Sequence, residues 1–387
     1  MPLILRVRKV SFLGIFLFFL LALPFFSATR VTGIPSDSAS ANSGSTIRVV
    51  ATISLSGYPR QAIYDPDNHE VYVPVGNLIQ AISSTTNEIV ANITVSGCSV
   101  IAYDPADKAV YAACPSNDVV SVINSTNNRI VANISVPALG NYVAALLYDP
   151  ASRDMYILGT STGTVVVIDS SSHTVVTTLS IAGHPAFIAY NRANHDVYVA
   201  STQSSLLTVI DGININVIKQ IQMPASGAKG DELLYDPANN NIYVANGKSQ
   251  SIIVVNSTNS IVATIKDSKV PWRLAYDADN HEVYVANLNR SNLTVISSAT
   301  NRVVANVIIS TSFVQDEHEA LAYDPANRYI YVPNIFSGTV SVVNGTTNQV
   351  IATVNVTHPE FIAYDSSNHD FYMTDALGYQ ISVVSSE

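Results

Sequence analysis

The sequence predicts an all-β propeller of eight four-stranded blades, with seven as the alternative count, and three observations predict it. A Tyr-Asp pair, or its Tyr-Asn variant, recurs at Tyr64, Tyr103, Tyr148, Tyr190, Tyr235, Tyr276, Tyr323 and Tyr364, 39 to 47 residues apart. Each unit holds four short runs rich in Val, Ile, Tyr and Thr. They alternate with period two and are bounded by Asn, Asp, Gly and Ser, as strands are. The last unit, residues 359–384, supplies only three such runs, whereas residues 47–55 (IRVVATISL) form an orphan strand resembling residues 349–356. Four strands in about 40 to 47 residues is the period of propeller blades. An N-terminal strand that completes the last blade closes the ring and removes its free edges.

Composition sets the outer limits. The chain has 387 residues, 48% apolar and 12% charged, with 20 tyrosines, which excludes a disordered or collagen-like polymer. Its formal charge is −10, and Arg6, Arg8 and Lys9 sit at the extreme N-terminus, so the body is more acidic still. Phosphate-backbone binding needs a basic stripe that this body lacks, so no nucleic-acid partner is expected.

From the N-terminus onward, the basic flank precedes an apolar run over residues 10–26, broken only by Ser11, Gly14 and Pro24. That pattern predicts a signal peptide or a retained N-terminal membrane anchor over residues 1–33. No A-x-A site follows: Ser27-Ala28 comes after bulky Phe25 and Phe26, and Val31-Thr32-Gly33 is the alternative exit. Residues 34–46, rich in Ser and Ala, read as a flexible linker. Residues 47–387 are the propeller. In either case the body is exported, and the membrane is touched only through the N-terminal segment.

The first unit reads as strands over residues 60–64, 71–75, 78–82 and 88–95. Asp65-Pro66-Asp67-Asn68, Asp104-Pro105-Ala106-Asp107 and Asp324-Pro325-Ala326-Asn327 put Asp and Pro at the first two positions of a type I turn, as in longer hairpin loops. His69, His195, His281 and His369 recur in equivalent hairpin turns and read as structural. Long connections enter the third, fifth and seventh units and short Pro-containing ones the fourth, sixth and eighth, as if blades came in pairs.

The strand motif appears as Ile242-Tyr243-Val244-Ala245-Asn246, Val283-Tyr284-Val285-Ala286-Asn287 and Tyr331-Val332-Pro333-Asn334, alongside an I-V-A-T/N-I strand. Over residues 47–387 this resembles the YVTN-family β-propeller repeat proteins of archaeal and bacterial cell surfaces. No copy spells Y-V-T-N, and Tyr111-Ala112-Ala113-Cys114 and Tyr372-Met373-Thr374-Asp375 depart furthest. The resemblance implies surface-layer, adhesion or scaffold roles and brings no catalytic residues with it.

Cys98 and Cys114 are the two cysteines. If Tyr103 pairs with Ala109, the two thiols face each other on adjacent antiparallel strands, which suits a cross-strand disulfide in an exported protein. The alternative is a buried pair of reduced thiols. Sequons occur at Asn92, Asn124, Asn133, Asn256, Asn289, Asn292, Asn344 and Asn355. Glycans there would coat the rim, although Asn and Ser/Thr are common in such turns anyway.

Propeller ligands bind where the loops leading into the innermost strands converge. The family resemblance implies that this face gathers the segments just ahead of the recurring tyrosines, with candidate binding residues Tyr58, Arg60, His184, Asp231, Glu232, Trp272, Arg273, Glu317, His318, Glu319, His358 and Glu360. Asp231, Glu232, Asp316, Glu317 and Glu319 could hold Ca²⁺ through oxygen, although their spacing matches no known loop; no other cofactor is expected. Trp272 and Tyr58 could stack on a sugar or peptide. His184 and His358 lie four units apart, across the axis of an eight-bladed ring. No G-x-S-x-G, H-E-x-x-H or P-loop occurs. The expectation is a non-catalytic surface module that binds a protein or glycan. The alternatives are a lactonase- or lyase-like propeller enzyme and a cofactor carrier with a site at the axis.

Overall fold

Period-two strands joined by turns of a few residues can pair only with their antiparallel neighbours, so each repeat becomes one sheet. The computed structural model describes residues 46–224, 232–267, 269–288, 291–309, 320–375 and 377–386. It contains eight four-stranded sheets arranged as the blades of one ring. The signal or anchor segment and the linker up to residue 45 lie outside the described residues. From the inside outward, blade one is Ile63–Asp65, Glu70–Val75, Leu78–Ser83 and Glu88–Thr94. Its innermost strand starts later than the sequence pattern predicts. Ahead of it, pairing continues only as a Pro59–Val75 bridge and a bond from Arg60 N–H to the Pro74 carbonyl (3.0 Å).

Blade eight takes Pro359–Tyr364, Phe371–Asp375 and Gln380–Ser385 from the C-terminal end. Its outer strand is Arg48–Ser54, which pairs antiparallel with Gln380–Ser385. The N-terminal strand therefore closes an eight-bladed ring, and the seven-blade alternative falls away.

The core lies between the blades. Eight apolar clusters each join one pair of neighbouring sheets, and the one holding Ile53, Leu55, Ile381, Val71 and Val73 joins blade eight to blade one. Eight tyrosines of the second strands, Tyr72 to Tyr372, are fully buried in these seams. Their hydroxyls need partners there, and most find them on the next blade's outer hairpin. Tyr72 donates to Asn128 Oδ1 (2.7 Å), Tyr243 to Asn301 Oδ1 (2.8 Å) and Tyr372 to Asn87 Oδ1 of blade one (2.7 Å). Those asparagines have left-handed backbones (φ +58°, +52° and +58°), which Asn tolerates better than most residues.

In blade two, the pairing used to place the cysteines is one residue off: Tyr103 faces Val110, not Ala109. An irregularity compensates. Val100 faces Ala113, and Ser99 N–H donates to the same Ala113 carbonyl (3.1 Å), so Ser99 is an extra residue that brings Cys98 back toward Cys114. The two sulfurs are bonded.

Candidate functional site

Within a blade, the first-to-second and third-to-fourth hairpin turns emerge at one end, here the turn end. The blade-to-blade connections emerge at the other, the loop end. The recurring tyrosines stand at the turn end and are engaged there. Tyr64, Tyr190, Tyr276 and Tyr364 hydroxyls lie 3.0, 2.8, 2.9 and 2.6 Å from Nδ1 of His69, His195, His281 and His369. These histidines hold left-handed turn positions, as their structural reading requires. Burial, with Asp365 alongside, pushes the Tyr64 hydroxyl up to about 12, so it keeps the proton it shares with Ser367 of blade eight.

At the loop end, the innermost strands of several blades carry an irregularity where they begin. The pairing shifts between Pro185 and Phe187 in blade four and between Pro271 and Arg273 in blade six. The skipped residues are Ala186 and Trp272, and such bulges re-aim side chains. Phe187, Glu232 and Arg273 then occupy equivalent positions in three consecutive blades, each opposite an alanine of the second strand (Ala200, Ala245, Ala286). Their small partners leave room, and Phe187 and Arg273 meet. The Arg273 guanidinium carbon lies 4.6 Å from the Trp272 ring centre and 5.6 Å from that of Phe187, two blades away. Glu232 Oε2 accepts the backbone N–H of Leu274, tying blade five to blade six. The Trp272 indole Nε1 is buried with no acceptor among the described residues.

A second group sits where blade eight meets blade one. Tyr58 and Tyr379 pack edge to face with ring centres 5.3 Å apart, and both stay largely exposed. Arg60 is exposed and Glu360 half-buried. His358 Nδ1 lies 3.7 Å from Asp375 Oδ1, and that carboxylate is already used by Leu377 N–H, Gly378 N–H and Gln380 Nε2. His184 is half-buried, and its carbonyl accepts Thr202 N–H (2.9 Å).

Of the residues singled out from sequence, Glu232, Trp272 and Arg273 thus come together, and Tyr58 gains an aromatic partner. Asp231, Glu317, His318 and Glu319, with Asp316, lie outside the described residues, and so does the sequon Asn289. Among the described residues, no group of three or more His, Cys, Asp or Glu is arranged to hold a metal. Sequence reasoning missed Phe187 and Tyr379. Phe187 stands three residues before its tyrosine, level with Glu232 and Arg273, and that spacing was the available signal. Tyr379 lies in a loop between blade-eight strands and carried none. Among the sequons, Asn92, Asn133 and Asn355 are exposed on outer strands. Asn124, Asn256 and Asn344 use their side-chain oxygens to hold outer-hairpin turns. Asn292 is half-buried and bonded to Asn287.

The ring defines a β-propeller with an aromatic and guanidinium cluster at its loop end. Comparable solved structures include a selenomethionine-substituted virginiamycin B lyase from Staphylococcus aureus, at 11% identity and TM-score 0.60. A streptogramin B lyase is similar at 13% identity and TM-score 0.60, and both alignments cover 75% of this chain and 94% of the other. At such identity the likeness is one of fold. No protein-family model and no curated protein sequence matches the chain, so the resemblance to YVTN surface propellers rests on the repeat motif alone.

Proposed function

We propose that this chain is an exported, non-catalytic binding module that presents its loop end to a protein or glycan at the cell surface. The observation that carries this reading is the Arg273 guanidinium held against Trp272 and Phe187. Aromatic faces with an ordered Arg recur as binding hot spots, because they offer large contact area with little entropy left to lose. The Cys98–Cys114 bond suits an oxidising compartment and so supports export. The test is binding of the full chain to glycan arrays and to intact cells, with Trp272→Ala and Phe187→Ala alongside. We expect each substitution to weaken capture at least ten-fold with the fold retained. Unchanged capture in both variants overturns the reading.

A second reading is a lyase. The likeness to two lyases favours it, as does the pair formed by His358 and Asp375. Incubation with virginiamycin B, followed by mass spectrometry, decides it. A product that forms with the wild type and is lost in His358→Ala would replace the binding proposal.

A further inference from the structure

At the turn end, the seam between blades two and three breaks the repeat at three neighbouring positions. The fourth residue of the inner hairpin turn is Asn in six blades, and Asn68 shows its use: Nδ2 donates to the Tyr72 hydroxyl (2.9 Å) and to the Ser125 carbonyl (2.9 Å). Blade two has Asp107 there, which cannot donate when ionised. The residue opening the second strand is a carboxylate in five blades. Glu70 accepts from Asn128 of the next blade (2.8 Å), Asp196 from Asn259 (2.7 Å) and Glu282 from Asn348 (3.1 Å). Blade two has Ala109. The left-handed residue of the facing outer turn, Asn in those seams, is His173 here (φ +54°). The space so left is a cavity of about 280 Å³ lined by Asp107, Ala109, Asn124, Val131, Ser171 and His173.

One carboxylate oxygen of its lining lacks a partner among the described residues. Asp107 Oδ1 pairs with Arg153 (2.8 Å), while Oδ2 is buried and accepts no hydrogen bond among the described residues. The Ser171 hydroxyl donates to Asp169 (2.6 Å), and Asn124 Oδ1 accepts Thr126 N–H (3.0 Å). The Tyr111 hydroxyl donates to the Ser170 carbonyl (3.1 Å) and lies 3.0 Å from His173 Nδ1. Burial and the charges of Asp104, Asp107 and Asp169 push the Tyr111 hydroxyl well above its ordinary range, as a negative local field would. Ala109 and Val131 supply an apolar wall.

We propose that this seam binds a small protonated primary amine, with Asp107 as counter-charge and Ala109 and Val131 against its alkyl chain. The buried Asp107 Oδ2, which has no donor among the described residues, favours a ligand that brings one. A repeat that departs from its own pattern at three touching positions gives up seam bonds that blades one, four and six keep, as functional sites do. The site is at the opposite end of the blades from the loop-end cluster and does not depend on it.

The test is calorimetric titration of the full chain with n-butylammonium, 1-butanol and acetyl-lysine methylamide. We expect the ammonium to bind at least ten-fold more tightly than the alcohol. Ala109→Glu, which restores the blade-one residue, and Asp107→Asn should each lose at least ten-fold of that affinity while the thermal midpoint holds or rises. Binding of both amines supports the site and puts a partner's lysine side chain within its range; binding of n-butylammonium alone supports it as a site for free amines. Equal affinity for amine and alcohol, no binding of either amine, or undiminished binding in both variants overturns the proposal. Should Ala109→Glu fail to fold, the amine-versus-alcohol comparison on the wild type decides.

Discussion

The aspartate that follows each recurring tyrosine shows how one residue is made to serve both its turn and its seam. Asp65, Asp104, Asp149, Asp236, Asp277, Asp324 and Asp365 are fully buried, and each accepts the backbone N–H two residues on. Burying a carboxylate is costly unless such bonds compensate. At Asp365, burial pulls the pKa upward. Bonds from Ser84 and from the Ser367 hydroxyl and N–H outweigh it and hold the group below the usual carboxylate range. A depressed folded-state pKa contributes stability that is present above the unfolded value, about 3.9, and lost as pH falls through the folded one. Asp365→Asn should therefore cost about 1–2 kcal/mol at pH 7. Urea titrations from pH 7 to 2.5 should show that gap closing below about pH 4. A gap independent of pH would mean that the charge contributes nothing.

Each outer strand carries the same irregularity. In blade one, Ala81 faces Ala91 and Ile82 faces Ile89, so Val90 has no opposite number. Val50, Val131, Val176, Ile218, Val262, Val304 and Ile351 are skipped in the same way in the other seven blades. All eight are β-branched and 40–53% exposed, one per blade, and so form no patch. The bulge explains their exposure, and Val131 alone of the eight also lines the cavity between blades two and three. The outermost strand presents a free edge, and a bulge twists that edge out of register with any strand that might add to it. Position, not residue type, should then govern stability. Val90→Thr should change unfolding free energy by no more than about 0.5 kcal/mol. Ile93→Ala, three residues along and buried, should cost about 2–5 kcal/mol in the same denaturant titration. Comparable losses at both would sink the argument. These bulges were not legible in the sequence, because I-V-A-N-I keeps its alternation of burial through the skipped residue. The strands, their order and the tyrosine periodicity were legible, because period two and hairpin turns are local properties. The cross-seam partners, Tyr72 with Asn128 and Phe187 with Arg273, were not, since they lie 56 and 86 residues apart in the chain and arise only when blades meet.

For the whole molecule, each seam holds an apolar cluster and a buried tyrosine, and closure depends on the one seam whose sheet is assembled from both ends of the chain. Arg48–Ser54 pairs along Gln380–Ser385, and Leu55 N–H reaches the Tyr379 carbonyl (2.7 Å). Ile53 and Leu55 are buried in the cluster shared with Val71 and Val73 of blade one. Blade eight also touches blade one without this strand. Tyr372 and Asn368 donate to the Ser84 carbonyl (both 3.3 Å), and the Tyr64 hydroxyl donates to Ser367 Oγ (3.1 Å). Burying Ile53 and Leu55 is worth about 1.5–3 kcal/mol each. With the ladder bonds added, that is a large share of the roughly 5–15 kcal/mol by which a protein is stable. A chain beginning at residue 57 should therefore keep its strand content but unfold at least 10 °C lower. The bared edge of Gln380–Ser385 should also drive association at micromolar concentration. A synthetic peptide of residues 46–56 should restore both the midpoint and the monomer in trans, as strand addition does elsewhere. Circular dichroism melts and sedimentation velocity read the two effects separately. A truncated chain that stays monomeric with an unchanged midpoint would mean that the Tyr372, Asn368 and Tyr64 contacts close the ring unaided.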